Sequence, residues 1–371
     1  MEKSFDVVII GSGIGGLSIA HLLGARNIKT ALIDGKNDPA GVGFDTLGSF
    51  LDLERFGLPE SIVAAKQSEV IFHSPHLAVK KKGKAYIVNK HKLYKELLNK
   101  AVDNKVAVFP STYINGFALD KKGMVGSVTD EKGNKFHAGI FVDATGVAGF
   151  FSKRFGLQDK NLNIAQGLEY NVKYLDPQFR THLFFGKLFK GGYGWIFPFG
   201  NDRAIFGFGS FDPSVKTTLR QRFNELFDNP QIRQLVLRDN DRLSGGTIPV
   251  DVKTKFVHKN VVCVGDSVSQ VNPMVGEGHR FILDAGQMAA RAVSDALKEH
   301  NLMLLHRYED DWKEKYYRDY RLSKKGQVFA NKLSQNNLLS DLAAIYLASK
   351  SDSTFIDLIA GHITPRSIFL P

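Results

Sequence analysis

Residues 5–16 read FDVVIIGSGIGG, and the stretch decides the fold. The run Phe5–Ile10 is short, apolar and rich in β-branched residues, as a strand buried on both faces of a parallel sheet should be. The glycines follow at once, and LSIAHLLGARN after them has the apolar spacing of a helix. Strand, glycine turn and helix form the context in which GxGxxG has physical meaning. Gly11 permits the tight turn, Gly13 lets backbone approach a pyrophosphate, and Gly16 lets the helix pack close to the strand. Ile14 and Gly15 lie in the same turn, ahead of the helix whose N-terminus offers unpaired N–H groups to the anion. Eighteen residues after Gly16, the strand KTALID ends in Asp34, placed to accept from a ribose hydroxyl, with Gly35 and Lys36 beside it.

The opposite end of the chain says which dinucleotide is meant. KNVVCVGD (259–266) reads as a strand ending in Gly265 and Asp266. After SVSQVNPMV, with Pro273, comes a long helix announced by Gly276, Glu277, Gly278 and His279. A carboxylate at a strand end suits a chain of hydroxyls, and a helix N-terminus suits a ring that becomes anionic on reduction. Both needs are those of a flavin. IFVDATG (140–146) adds a strand whose Ala144, Thr145 and Gly146 turn suits the adenosine half.

Composition bounds the rest. The 371 residues, 43% hydrophobic, suffice for a compound domain with a substantial core. A formal charge of +11 favours anionic partners without selecting among lipid head groups, phosphorylated substrates and nucleic acid. The single cysteine, Cys263, excludes an intramolecular disulfide and any multi-cysteine metal site, and its VVCV setting suits a buried thiol. No metal site is expected. The apolar N-terminal run is too short for a signal peptide, and no run of about 18 apolar residues is present to span a bilayer.

GxGxxG at 11–16, DATG at 143–146 and GD followed ten residues later by GEG together resemble the FAD-dependent fold shared by aromatic hydroxylases, flavin halogenases, lycopene cyclases and geranylgeranyl reductases. Within that group Tyr193-Gly194-Trp195-Ile196-Phe197-Pro198 is similar to the YxWxFP substrate-wall motif of the geranylgeranyl reductases, as is GGTIP at 245–249. The resemblance implies an α/β architecture: a Rossmann-like FAD-binding domain (1–75, 90–165 and 250–300), an antiparallel-sheet substrate domain (76–89 and 166–249) and a C-terminal helical region (301–371). It implies an FAD-dependent oxidoreductase that reduces carbon-carbon double bonds of isoprenoid chains. Tyr193, Trp195, Phe197 and Pro198 would bind the chain, and NAD(P)H or a ferredoxin would serve as transient electron donor. Monooxygenation, halogenation and isoprenoid cyclisation are the alternatives, although halogenases tend to carry two tryptophans and an Ile-Pro where this chain has one Trp and Phe197-Pro198.

The departures from that pattern are specific. Ser267, Val268 and Ser269 replace the usual two alanines and glycine, and His279 replaces isoleucine. Gly41 and Gly43 remain without the usual neighbouring cysteine, and Lys90 stands where an arginine is expected. His279, as the titratable residue at the flavin-facing turn, is the candidate proton donor or flavin-tuning group.

AVKKKGKAYIV (78–88) reads as a hairpin around Gly83 with its lysines solvated. GYGWIFP and AIFGFGS read as a hairpin whose turn is GNDR (200–203) and whose glycines leave room for a substrate chain. From 301 the pattern is helical; these helices close the fold or form the far wall of a lipid tunnel or an interfacial contact. The expected partner is a hydrophobic isoprenoid lipid, with no nucleic acid. The expected location is cytoplasmic, with a peripheral contact on the inner face of the membrane.

Overall fold

The structure, a computed structural model, describes residues 2–43, 45–159, 161–200, 202–215, 217–240 and 242–364. In chain order the first elements are β1 (Glu2–Ile10), α1 (Ile14–Gly24), β2 (Thr30–Ile33), β3 (Thr46–Ser49), β4 (Val63–His73), β5 (Ala78–Asn89), α2 (Lys90–Asp103), β6 (Ala107–Phe109), β7 (Ile114–Leu119), β8 (Val125–Asp130) and β9 (Lys135–Asp143). There follow β10 (Ile164–Tyr174), β11 (Thr181–Phe184), β12 (Gly192–Pro198), β13 (Arg203–Ser210), α3 (Leu219–Leu226), α4 (Pro230–Arg233), β14 (Val236–Leu237), β15 (Leu243–Pro249), β16 (Val257–His258) and β17 (Val261–Cys263). The chain closes with α5 (His279–Lys298), α6 (Arg307–Trp312), a π-helical turn over 313–317, α7 (Arg318–Leu333), α8 (Asn337–Ser349) and α9 (Asp352–Ile359).

Two sheets result. In the first, β17, β9, β1, β2 and β6 run parallel in that order, with β16 antiparallel at one edge and the β7–β8 pair added to β9. Val7, Val8 and Ile9 are fully buried in the core that this sheet shares with α1, α2 and α5. The second sheet runs β14-β10-β13-β12-β11-β4-β5-β3, with β15 on β10, and among the described residues only β4 and β11 are parallel neighbours in it. Its outer face carries a separate core in which Tyr170, Phe206 and Phe208 pack against Phe223 of α3. Truncating Phe223, which is fully buried, to Ala would cost about 4 kcal/mol.

Two expectations change here. The strands 46–49 and 63–73, expected in the nucleotide half, pair in the second sheet instead. The segment 78–88 is no hairpin: β5 continues through Gly83, because a Cβ there would lie 2.3 Å from Ile356 Cγ1 and only glycine admits α9 so closely. Along β5, Lys80, Lys82 and Lys84 are exposed while Lys81 is buried, donating to the carbonyls of Ala348 (3.0 Å) and Lys350 at the end of α8. One lysine of the run is therefore a helix C-cap, favoured by the helix dipole. The β12–β13 hairpin forms as expected, and Asn201 of its turn lies outside the described residues. Asn89, Asn336 and Ser351 cap α2, α8 and α9 with side-chain oxygens.

Candidate active site

A cavity of about 390 Å³ lies where the C-terminal ends of β1, β9 and β17 face the inner surface of the second sheet. Its first wall is largely backbone. Gly11 (φ +99°) and Gly16 do not border the cavity; they make the turn possible. A Cβ on Gly11 would lie 2.3 Å from Ala144 O, and one on Gly16 would lie 1.9 Å from Gly11 O. Gly13 does face the cavity, where a Cβ would meet nothing nearer than Ala144 O at 3.9 Å. It is the N-cap of α1 and supplies no side-chain oxygen, so with Ile14 and Gly15 it presents uncapped N–H groups to the opening.

Asp34, Gly35 and Lys36 lie off the cavity. Asp34 Oδ2 accepts from Ser12 N (2.6 Å) and Ser12 Oγ (2.7 Å), and Oδ1 accepts from Lys36 N (2.7 Å). The carboxylate thus holds the glycine turn in place, and each oxygen keeps further acceptor capacity for a ribose. Lys36 Nζ donates to Pro39 O and Gly41 O at 3.2 and 3.0 Å.

At the end of β9, Ala144 and Gly146 (φ +65°) line the cavity. Thr145 turns inward to Asp143, which is completely buried. The Asp143 oxygens accept from Thr145 N (3.1 Å), Thr145 Oγ1 (2.6 Å), Phe151 N (2.7 Å) and Ser152 N (2.8 Å), fixing the turn. At the end of β17, Gly265 (φ +76°) and Asp266 line the cavity. Ser267 Oγ donates within 3.0 Å of both Asp143 O and Val264 O, so this departure from the usual alanine ties two strand ends together. Burial pushes the Asp266 carboxyl up to about 6, and the Lys90 ammonium opposes the shift. Gly276, Glu277, Gly278 and His279 border the cavity at the start of α5, whereas Pro273 is buried behind them. Glu277 accepts from Ser49 Oγ at 2.5 Å, and Tyr193 Oη donates to Val275 O at 2.5 Å, joining this loop to the second sheet.

The facing wall is made of side chains. Tyr193, Trp195 and Phe197 alternate inward along β12, their ring centroids 5.5 and 6.2 Å apart. Pro198, expected with them, is buried on the opposite face and does not line the cavity, as the two-residue period requires. The β13 glycines prove to serve the indole rather than a substrate chain. A Cβ on Gly207 would lie 2.1 Å from Trp195 Cε2, and one on Gly209 would lie 3.2 Å from Cζ3. The strand register Glu169↔Gly207↔Trp195 then carries the indole N–H across the glycine to Glu169 Oε1 at 3.1 Å.

Glu169 was not legible in the sequence. It sits between Leu168 and Tyr170 in an alternating strand, where a carboxylate reads as solvent-facing; only the pairing with Gly207 turns it inward. It is 8% exposed, and its Oε2 has no hydrogen-bond partner. Burial pushes its carboxyl well up, against the pull of Lys90 and of the indole. Lys90, the first residue of α2, also lines the cavity; burial lowers its ammonium while Glu169, Asp266 and Asp45 support the charge. Tyr94 Oη and His279 Nε2 are 3.2 Å apart. Burial, and after it Lys90, push the His279 imidazole well below its usual range, so it stands neutral and holds no imidazolium proton to give.

The residues present fit a flavin dinucleotide. The glycine cradle with uncapped helix N–H groups suits the pyrophosphate, Asp266 suits a hydroxyl chain, and the N-terminus of the 20-residue α5 suits an electron-rich ring. Among the described residues no cluster of His, Cys, Asp and Glu could hold a metal ion, and no helix is long and apolar enough to cross a membrane. No residue of α6–α9 borders this cavity, so the C-terminal helices do not form its far wall. Cys263 is buried in β17, its thiol pushed up by burial.

The family model described as lycopene cyclase protein matches residues 6–335. The chain is similar to the digeranylgeranylglycerophospholipid reductase of Methanococcus aeolicus, 28% identical over 92% of this chain and 90% of that one. It is similar to the enzyme of the same name from Methanocaldococcus jannaschii, 27% identical over 91% and 90%. In structure it resembles a geranylgeranyl bacteriochlorophyll reductase-like protein of Thermoplasma acidophilum, with a TM-score of 0.85 and 20% identity over 99% of this chain and 95% of that one.

Proposed function

The chain belongs to the lycopene cyclase protein family and stands with the geranylgeranyl reductases, and from that membership we propose that it is an FAD-dependent oxidoreductase reducing carbon-carbon double bonds of isoprenoid chains on a lipid. The observation that carries the reading is one cavity with a backbone wall suited to a dinucleotide and an aromatic wall suited to an apolar chain. Reduced flavin supplies hydride when bound. The protein's own tasks are then to hold the chain, exclude water and furnish a proton.

Tyr193, Trp195 and Phe197 hold the chain: they offer apolar surface at little cost in side-chain entropy, and the Tyr193–Val275 hydrogen bond keeps the wall in register with the flavin-facing loop. Lys90 and Asp266 set the charge beside the cofactor, and Gly13, Ile14, Gly15, Ala144, Gly146, Gly265 and Gly276–His279 form its seat. Gly11, Gly16, Asp34 and Thr145 shape that seat from behind. His279, neutral and bonded to Tyr94, acts as a positioning residue at the ring. Electrons arrive from NAD(P)H or a ferredoxin-like donor that binds transiently.

We place the protein in the cytoplasm as a peripheral membrane protein. Leu338, Leu342, Ile345 and Tyr346 of α8 and Phe329 of α7 are all exposed, with the exposed cations Lys325 and Lys332 among them. An apolar face flanked by lysines suits the anionic inner leaflet. The test of the whole reading is to reduce bound FAD anaerobically, add a geranylgeranyl lipid, and measure flavin reoxidation and product mass. A gain of two hydrogens per double bond is expected. Unchanged mass with altered retention would identify a cyclase, oxygen-dependent mass gain a monooxygenase, and no change in either would contradict the proposal.

A further inference from the structure

Reduction of an isolated alkene needs a proton as well as a hydride, and Glu169 lines the cavity with one carboxyl oxygen that has no partner. We propose that Glu169 is the acid of this site: with Oε1 held by the Trp195 indole across Gly207, its Oε2–H protonates one alkene carbon while hydride from the reduced flavin reaches the other. The inference rests on the reductase reading.

The geometry is specific. Glu169 lies on β10, between Ser244 of β15 and Gly207 of β13. Trp195 Nε1 donates to Oε1 at 3.1 Å, which leaves Oε2 buried and unpartnered on a side chain that lines the cavity beside Trp195. A buried carboxyl oxygen without a partner is costly unless something occupies the space in front of it or it carries a proton. The groups that face Glu169 are Lys90 at the start of α2, Asp45 before it, and Tyr193 on β12, with Asp266 beyond Lys90. Asp45 is itself paired with His91 and Arg242. Burial dominates over the opposing pull of Lys90, so the Glu169 carboxyl is pushed well up and its protonated form is favoured. His279, neutral and bonded to Tyr94, is the poorer candidate.

The step balances. The π bond breaks and two C–H bonds form, one from the hydride and its two electrons, one from the Oε2 proton. Flavin is left oxidised and Glu169 is left as a carboxylate opposite the Lys90 ammonium. A proton from solvent restores the acid.

The test uses the FAD-loaded full chain and Glu169→Gln, which keeps the acceptor for Trp195 but has no transferable proton. Wild-type single turnover with reduced flavin and a geranylgeranyl lipid should be flat while the carboxyl is protonated and fall as it ionises at higher pH. In Glu169→Gln the rate should drop roughly 10²- to 10⁴-fold and the falling limb disappear, with flavin still bound. Infrared pH-difference spectra of the oxidised holoenzymes provide a readout apart from turnover: a protonated carboxyl band lost as pH rises in wild type and missing in Glu169→Gln. Trp195→Phe removes the hydrogen bond that favours the carboxylate, so its limb should move to higher pH. A Glu169→Gln enzyme with the wild-type rate and limb, or an infrared band unchanged by the substitution, overturns the proposal while leaving the reductase reading intact. A wild-type enzyme that reduces nothing would overturn both.

Discussion

On the nucleotide side of the cavity the surface is backbone: Gly13, Gly15, Gly146, Gly265 and Gly276 bring main chain to the edge of the space, and Gly11 and Gly16 let the strands and helix behind them touch. On the facing side it is side chain: Tyr193, Trp195, Phe197 and Glu169, standing on strands whose own glycines are filled by the indole. Where the backbone wall turns on Gly11 and Gly16 it tolerates one residue type, so it binds what every relative of the fold must bind. A side-chain wall can change residue by residue, so it is where substrate and chemistry are chosen.

The contrast predicts separable failures. The largest effect should come from Gly16→Ala, whose Cβ would lie 1.9 Å from a backbone oxygen that cannot give way. We expect roughly 3 kcal/mol of lost stability and protein that no longer retains FAD, read from thermal unfolding and the flavin absorbance. On the other wall, Gly207→Ala should leave flavin bound while driving the indole off Glu169; a 1 Å misplacement of this kind can lower turnover about 10²-fold. Flavin loss in Gly207→Ala would break the contrast.

Acid should loosen the β4–β11 pair of the second sheet, where two imidazoles meet. His73 on β4 and His182 on β11 bridge at 2.8 Å, and His182 also bonds Tyr174 and Asp176. Burial first, then charge from His182 and Arg180, lowers His73 to about 3; burial lowers His182 to about 4 despite Asp176. A folded-state value below the usual 6.5 means the unfolded chain binds the proton more tightly. The stability is thus present above pH 6.5 and is lost as pH falls toward 4, on the order of 3 kcal/mol for the fully buried His182. Hydrogen exchange should show β4 and β11 losing protection between pH 7 and pH 5. Equal loss of protection in β1 and β9 would blur the division. The mildest change should be Ile345→Asp on α8: full turnover on dispersed substrate, unaltered flavin, and weaker sedimentation with anionic vesicles. Unchanged sedimentation would remove α8 from the membrane contact.

What could be read in advance follows the same division. The turns at 11–16, 143–146 and 265–278 were visible because close backbone approach at Gly11 and Gly16, and positive φ at Gly146, Gly265 and Gly276, favour glycine at positions fixed relative to a strand. The inward set Tyr193, Trp195 and Phe197 follows from strand alternation, and the same alternation turns Pro198, expected with them, to the other face. Glu169 could not be read, because a carboxylate at an alternating position of LEYNVKYL has the pattern of a solvated face until its neighbours in the sheet are known. The hairpin expected at Gly83 failed for a related reason: that glycine answers to Ile356, far along the chain, and not to a turn. Asp34 reads as a ribose ligand, yet its nearest duty is to Ser12 of the glycine turn, whose N–H and Oγ it accepts from at 2.6 and 2.7 Å.

Trp195→Ala, assayed for flavin content and for saturated product in one anaerobic turnover, tests the two-wall account most directly. The account predicts a full complement of FAD with product formation reduced at least tenfold. Loss of flavin together with product, or product at the wild-type rate, would contradict it.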